Sequence, residues 1–190
     1  MRGAPGRLRV IGGSLRNSRL DVPDLPGLRP TPERVRETLF NWLAPVIGGA
    51  SGLDLCAGSG ALGIEALSRG AASVQFVEPQ PRALQALRDN LARLNVPHAQ
   101  LSGADAASFL SGPPRPFDVV WLDPPFDADL WGALARQLEG GWLSPSAWLY
   151  VESPRGQVPE LPPQWLLHRE GQAGEVRHAL YRRARTHPLS

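Results

Sequence analysis

The residues best suited to chemistry are Asp123, Pro124, Pro125 and Phe126. Two consecutive prolines stiffen the chain and remove two N–H donors. Their carbonyls remain as acceptors beside the Asp123 carboxylate, with an aromatic ring next in sequence. Such an array suits the planar exocyclic amine of a nucleobase. The amine donates its two hydrogens to the Asp123 carboxylate and the Pro124 carbonyl, and the base stacks on Phe126. Held in this way, the amino nitrogen moves toward a tetrahedral geometry and its lone pair is aimed at a methyl donor.

A second feature is the run from Asp54 through Ala57, Gly58 and Gly60 to Gly63. G-x-G-x-x-G is a weak signal in isolation. It gains meaning where it ends a strand and opens a helix, because its glycines let a ligand approach the backbone. The motif itself admits either a dinucleotide or S-adenosyl-L-methionine. Glu78 follows 24 residues after Asp54, where a carboxylate accepts the hydroxyls of a ribose. Asp105, followed by Ala106, is placed to accept the exocyclic amine of adenine.

These side chains need a scaffold that brings them together, and the hydropathy pattern supplies one. Residues 8–20 read as a hairpin turning near Gly12–Gly13 or Arg16–Asn17. Residues 21–30 hold three prolines and a glycine and read as an extended linker. Thr31 and Pro32 suggest an N-cap and a first helical position. The following helix has Val35, Leu39, Trp42 and Leu43 on one face and Arg34, Glu37, Thr38 and Asn41 on another. Strands are expected over 53–56, 73–78, 98–102, 117–122, 147–151, 165–170 and 175–182. Helices are expected over 61–69, 79–94, 105–110 and 127–139. This alternation implies an α/β fold, a mostly parallel sheet with helices on both faces. Asp54, Glu78, Asp105 and Asp123 then share the carboxyl edge of the sheet, where ligands bind in such folds.

Composition narrows the chemistry. All 20 basic residues are Arg. Without Lys there is no P-loop lysine and no Schiff-base amine. Cys56 is the only cysteine, so no intrachain disulfide or multi-cysteine zinc site forms. The four histidines show no metal-ligand spacing, and no metal is expected. The segment from Met1 to Val10 lacks the apolar stretch of a secretory signal, and no run is long enough to span a membrane. A cytoplasmic location is therefore expected. The net charge of +2 hides an asymmetry. Residues 1–40 carry 8 Arg and 4 acids, residues 41–152 carry 6 Arg and 11 acids, and residues 153–190 carry 6 Arg and 3 acids. A basic arm on an acidic body points to a polyanionic partner such as nucleic acid.

Together, the glycine turn, Glu78, Asp105 and Asp-Pro-Pro-Phe resemble a class I S-adenosylmethionine-dependent methyltransferase of exocyclic amines. The blocks beginning at Arg9 (Arg-Val-Ile-Gly-Gly) and Arg29 (Arg-Pro-Thr-Pro-Glu-Arg-Val-Arg-Glu-Thr-Leu-Phe-Asn-Trp-Leu) narrow the match, as do those at Asp54, Glu65 and Leu122. They resemble the RsmD family, bacterial 16S rRNA (guanine-N2) methyltransferases. The resemblance extends to Tyr150-Val-Glu-Ser and Leu167-His-Arg-Glu.

It implies a Rossmann-like, seven-stranded methyltransferase domain over 31–190 and a basic hairpin arm over 1–30. It also implies transfer of a methyl group from S-adenosyl-L-methionine to N2 of one guanine in 16S rRNA. The substrate would be the small ribosomal subunit or its assembly intermediate, and the enzyme a monomer. By position, Asp54, Ala57, Gly58 and Gly60 line the cofactor site, Glu78 holds the ribose, and Asp105 with Ala106 holds adenine. Asp123, Pro124, Pro125 and Phe126 take the guanine. Arg7, Arg9, Arg16 and Arg19 contact phosphates, helped by Arg34 or Arg36. Two positions depart from the family: Cys56 stands where Phe is common, and Asn17-Ser18 replaces a Gly and a basic residue. Two readings compete: amino methylation of adenine or cytosine in DNA, and a non-catalytic ribosome assembly factor that keeps the fold.

Overall fold

The computed structural model describes residues 6–185; the readings made for Met1 to Pro5 and for His187 lie outside that range. The arm is a two-stranded antiparallel ribbon, β1 (Gly6–Arg9) and β2 (Arg19–Val22), in which Arg7 faces Asp21 and Arg9 faces Arg19. Helix α1 (Glu33–Ile47) follows the linker. The body then alternates: β3 (Ser51–Asp54), α2 (Ala61–Ser68), β4 (Ser73–Val77), α3 (Pro81–Arg93), β5 (Ala99–Ser102) and α4 (Ala106–Phe109). It continues with β6 (Phe117–Leu122), a 3₁₀ turn (Phe126–Ala128), α5 (Trp131–Leu138), β7 (Leu143–Pro154), β8 (Trp165–Ala173) and β9 (Val176–Arg183).

Seven strands form one sheet in the order β5-β4-β3-β6-β7-β9-β8. The first five are mutually parallel, and β9 runs antiparallel to both β7 and β8. Side chains alternate between the two faces of a strand, and both faces here are apolar. Val119 and Trp121 of β6 join a core with α1, α2, α3 and the arm residues Val10 and Leu20. Val120 and Leu122 join the opposite core, under Trp131, Leu134 and Leu138 of α5. An apolar run with no alternation is what a strand covered on both sides requires. The chain order reverses between β3 and β6, and that reversal opens a crevice at the carboxyl edge.

Several expected boundaries move, each for a physical reason. The first strand of the sheet begins at Ser51 rather than 53, because Gly52 belongs to it. A Cβ at Gly52 would come within 2.7 Å of the Trp121 ring. Thr31 does not cap α1; its hydroxyl donates to Glu152 Oε1 at 2.8 Å, and Pro32 takes the cap position with no side-chain hydrogen bond. The helix expected from 127 starts at Trp131, because Asp129 adopts φ 47° and ends the 3₁₀ turn before it.

The arm is docked onto the body. The Glu65 carboxylate, 0% exposed, accepts the backbone N–H groups of Ile11 and Gly12. The Asn90 side chain brackets Asp21, accepting from its N–H and donating to its carbonyl. Ser14 N donates to the Ser68 carbonyl at 2.8 Å. Asn17 takes φ 66°, a left-handed conformation that Asn tolerates better than most residues, and its side chain accepts from Arg9.

Candidate active site

The candidate site is built on the carboxyl edge from the elements just described. Gly60 caps the start of helix α2 with a left-handed φ of 78°, and the φ of 54° at Gly58 is left-handed too. Gly63 lets α2 lie close against β4, since a Cβ there would meet the Phe76 ring at 2.3 Å. The Gly63 N–H donates to the Asp54 carboxyl at 3.1 Å. Asp54 is 1% exposed. Burial pushes its carboxyl up to about 7 against the opposing Gly63 hydrogen bond, with Glu78 and Glu152 adding to the rise.

Glu78, just past β4, accepts from Gly58 N at 2.9 Å with one oxygen and from Gln80 N at 2.7 Å with the other. It thus fixes the glycine turn while keeping free lone pairs on both oxygens. Burial raises its carboxyl as well. Ala57 is buried, and its N–H donates to the Val77 carbonyl, tying the turn to β4. Asp105 caps α4 by accepting from Ser108 N at 2.9 Å, which with the Ser108 hydroxyl lowers its carboxyl. It is exposed, and Ala106 beside it is half-buried.

Past β6, Pro124 is buried, whereas Pro125 and Phe126 are exposed. The Pro125 carbonyl accepts from Ala128 N at 3.4 Å. The Pro124 carbonyl has no partner among the described residues. Phe126 packs on Trp131 with ring centroids 5.8 Å apart and stays 37% exposed, so part of its ring is open to a ligand. Burial raises the Asp123 carboxyl well above the ordinary aspartate range, and the neighbouring carboxyls of Glu152 and Asp54 add to the rise.

Sequence reasoning missed Glu152. It ends the apolar part of β7, is 6% exposed, and accepts from the Tyr150 hydroxyl at 2.7 Å and the Thr31 hydroxyl at 2.8 Å. The signal was strand parity: Tyr150 shares the face of Trp121, so Glu152 shares the face of Asp123.

The structure brings Asp54, Glu78, Asp123 and Glu152 to one edge, and among the described residues no cation contributes to the shifts of Asp54, Glu78 and Asp123. An edge with this acceptor set suits a ligand that offers hydroxyl and amine hydrogens and carries positive charge. S-adenosyl-L-methionine meets each requirement, with ribose hydroxyls, an adenine amine and a sulfonium centre.

The expected phosphate contacts divide. Arg7, Arg9, Arg16, Arg19 and Arg34 are exposed. Arg9 pairs with Glu33, and Arg7 lies 3.4 Å from Asp21. Arg36 is corrected: it is 1% exposed, and its guanidinium donates to the carbonyls of Thr31 at 3.2 Å and Arg9 at 3.0 Å. It joins the arm to the linker and does not reach the surface. Among the described residues no cluster of metal-ligating side chains occurs, and no helix is long and apolar enough to cross a membrane.

Residues 8–182 match the family described as conserved hypothetical protein 95. The chain is 49% identical over 180 residues to ribosomal RNA small subunit methyltransferase D of Escherichia coli, covering 94% of this chain and 91% of the relative. The solved structure of yhhF from Escherichia coli superposes with a TM-score of 0.88 at 46% identity, covering 94% of this chain and 99% of that one. An RNA methyltransferase from Salinibacter ruber, solved in complex with S-adenosyl-L-homocysteine, shares the fold with a TM-score of 0.65 at 20% identity, over 85% of this chain and 98% of that one.

Proposed function

The chain belongs to the ribosomal RNA small subunit methyltransferase D family, and from that premise we propose that it methylates the exocyclic N2 of one guanine in 16S rRNA. It is an S-adenosyl-L-methionine-dependent methyltransferase of ribosomal RNA. The observation that carries the finer reading is the Asp123-Pro124-Pro125-Phe126 turn at the reversal of strand order, with a carbonyl that has no partner among the described residues, a carboxyl and an open aromatic ring side by side.

Guanine N2 is a weak nucleophile because its lone pair is delocalised into the ring. Orientation and acceptor polarisation therefore matter more than a strong base. Asp123 and the Pro124 carbonyl accept the two amine hydrogens. The base lies against the free face of Phe126, which Trp131 holds from behind through its own bond to the Glu152 carbonyl at 2.8 Å. Glu78 takes ribose hydroxyls, Asp105 with Ala106 takes adenine, and Asp54, Ala57, Gly58 and Gly60 line the methionine moiety. When bound, the cofactor supplies an electrophilic methyl group on a cationic sulfur. A buried aspartate and its neighbours give that charge a complementary setting.

The arm over 1–30 and the catalytic domain over 31–190 divide the work in this reading. Exposed Arg16, Arg19 and Arg34 meet rRNA phosphates together with Arg7 and Arg9. A guanine in a single-stranded loop reaches the turn most cheaply, because little stacking must be broken. The substrate is the small ribosomal subunit or its assembly intermediate, the enzyme acts as a monomer, and its place is the cytoplasm.

Labelled S-adenosyl-L-methionine offered with unmodified small subunits, naked 16S rRNA and duplex DNA tests this. N2-methylguanosine in the digested subunit sample is the expected product. Label in DNA adenine or cytosine would replace the RNA substrate with DNA. Cofactor binding with no label in any substrate would favour a non-catalytic assembly role.

A further inference from the structure

We propose that the open face of β8 and β9 beside α1 is a second rRNA-contacting surface, which takes the phosphates and unpaired bases of a single-stranded segment of the substrate. The inference rests on the functional reading above and adds a surface which that reading leaves unused. Its starting point is the charge count. Residues 153–190 carry 6 Arg and 3 acids, and neither the arm nor the crevice uses that excess.

Strand parity sorts those arginines. Paired residues of neighbouring strands share a face. Arg177 and Arg183 lie on the Tyr181 face, toward α5, and pair with Glu170 and Glu139, each at 2.8 Å. Arg182 lies on the Leu180 face, toward α1, and so does Arg169, which stands opposite Leu180. Among the described residues Arg169, Arg182 and Arg185 make no ion pair. Two of these are nevertheless held in place. Arg182 lies over the half-buried Trp148 ring, 5.6 Å from its centroid, and stays exposed. Arg185 donates through Nε to Ser146 Oγ at 2.9 Å, which leaves its Nη groups for a ligand. Side chains fixed in advance lose less entropy when a ligand binds.

The ground around them is open. Leu166 to Glu170 of β8 are all exposed. Near the end of α1, Val46, Asp118, Ser146, Trp148, Arg182 and Arg185 line a cleft of about 480 Å³. Asp118, the carboxylate among them, is already engaged by Ser51 N at 2.9 Å and Ser51 Oγ at 3.2 Å. Further along the same face Trp42 stacks on His178 with ring centroids 5.7 Å apart. Gly171 makes room for that histidine, since a Cβ there would stand 2.6 Å from His178 Nε2. The first turn of α1 carries exposed Arg34, and the arm reaches the same turn through the Arg9–Glu33 pair. The two basic surfaces therefore meet at the start of α1.

The chemistry selects the occupant. Guanidinium groups match phosphate oxygens, and an arginine laid on a tryptophan offers a plane on which a base stacks. A duplex hides its bases, so the surface fits single-stranded RNA. In the sheet order β9 and β8 lie just beyond β7, the neighbour of the strand that carries the Asp123 turn. RNA flanking the target guanine is what that position meets.

The test is the salt dependence of binding to unmodified small subunits, with single-turnover methylation of the same samples. Arg169→Gln with Arg182→Gln and Arg185→Gln should reduce the salt slope by about 2, or about 0.7 for each single-strand phosphate no longer neutralised. KM should rise several-fold, with kcat and S-adenosyl-L-homocysteine affinity unchanged. Arg169 touches only the neighbouring His168 carbonyl, so Arg169→Gln alone keeps the fold and should lower the slope by about 0.7. Arg136→Gln, exposed on α5 against the opposite core, is the control and should leave the slope at the wild-type value. A wild-type slope in the triple variant, while wild type methylates normally, overturns the inference and leaves the functional reading standing. An equal fall in Arg136→Gln also overturns it, because the effect is then one of net charge. A wild-type dimer that the triple variant breaks, with rRNA binding unaltered, overturns it by giving the face to a second copy of the chain. Absence of methylation by wild type overturns the functional reading itself.

Discussion

Replacing Glu65 by Ala tests whether the arm is held by the body or merely lies on it. Glu65 is fully buried and accepts from Ile11 N at 3.0 Å, Gly12 N at 3.2 Å and Arg69 Nε at 3.2 Å. With the arm still docked, the variant leaves two buried backbone donors unpaired, at about 1–3 kcal/mol each. If the arm lifts instead, water satisfies the donors, but Val10 and Leu20 leave the core at about 1.5–3 kcal/mol each. The molecule takes the cheaper route, and both lie at roughly 3 kcal/mol or somewhat above. Global stability of about 5–15 kcal/mol covers such a loss, so the body stays folded.

Hydrogen exchange reads the effect residue by residue. Amide protection at Ser14 and Leu15, which donate to Ser68, should fall about 100-fold, since each 1.4 kcal/mol is tenfold. Protection at Val119 and Trp121 in the central strand should stay near wild type. Methylation of small subunits should then show a raised KM, with cofactor affinity unchanged. Unaltered protection at Ser14 and Leu15 in a folded Glu65→Ala protein would refute the anchoring role.

Three further perturbations address the site and its charges. Phe126→Ala should lower kcat/KM on small subunits by roughly 5- to 150-fold, the equivalent of 1–3 kcal/mol of base stacking, and spare cofactor binding; equal activity would remove the stacking role. Asp54 keeps a proton in the folded state up to about pH 7 that the unfolded chain releases near pH 4, so its share of stability is present below pH 4 and lost as pH rises through 7. Asp54→Asn should flatten the fall in unfolding free energy between those limits, and a urea-denaturation series showing the same slope as wild type would contradict the shift. Arg16→Gln with Arg19→Gln should weaken subunit binding and reduce its salt slope by about one for each phosphate no longer neutralised. A salt slope equal to wild type would take those two residues off the RNA.

What the sequence made legible follows from where the physics is local. Phe117–Leu122 was readable to the residue because a strand covered on both faces is apolar almost throughout, with Asp118 alone near its start. The start of β3 was not, because Gly52 carries no hydropathy and is required only by the Trp121 ring across the sheet. Thr31 looked like a helix cap from its neighbours, and its hydroxyl is taken by a residue 121 positions away. Arg36 is different, since its place was legible. It precedes Leu39, Phe40 and Leu43 by three, four and seven positions, the spacing of the buried face of α1, whereas Arg34 falls on the polar stripe.

The candidate site was readable in its strand-end acids and not in the network behind them. Asp54, Glu78, Asp105 and Asp123 each close a strand or open a helix, which turn chemistry marks in sequence. Glu152 lies inside a twelve-residue strand and carries no such mark. Charge counting nevertheless held a trace of it. Residues 41–152 carry five more acids than Arg, and four of those acids meet at one sheet edge, where among the described residues no cation contributes to the shifts of Asp54, Glu78 and Asp123. A carboxyl-rich edge, even with its most buried members protonated, offers acceptors to the cofactor and no counter-charge to an RNA phosphate backbone. A protein that must bring both to one crevice needs its positive charge outside the crevice, on an element rigidly joined to it. The Arg-rich ribbon docked through Glu65, Asn90 and Arg36 meets that need, which explains why basic arm and acidic body occur together in so short a chain.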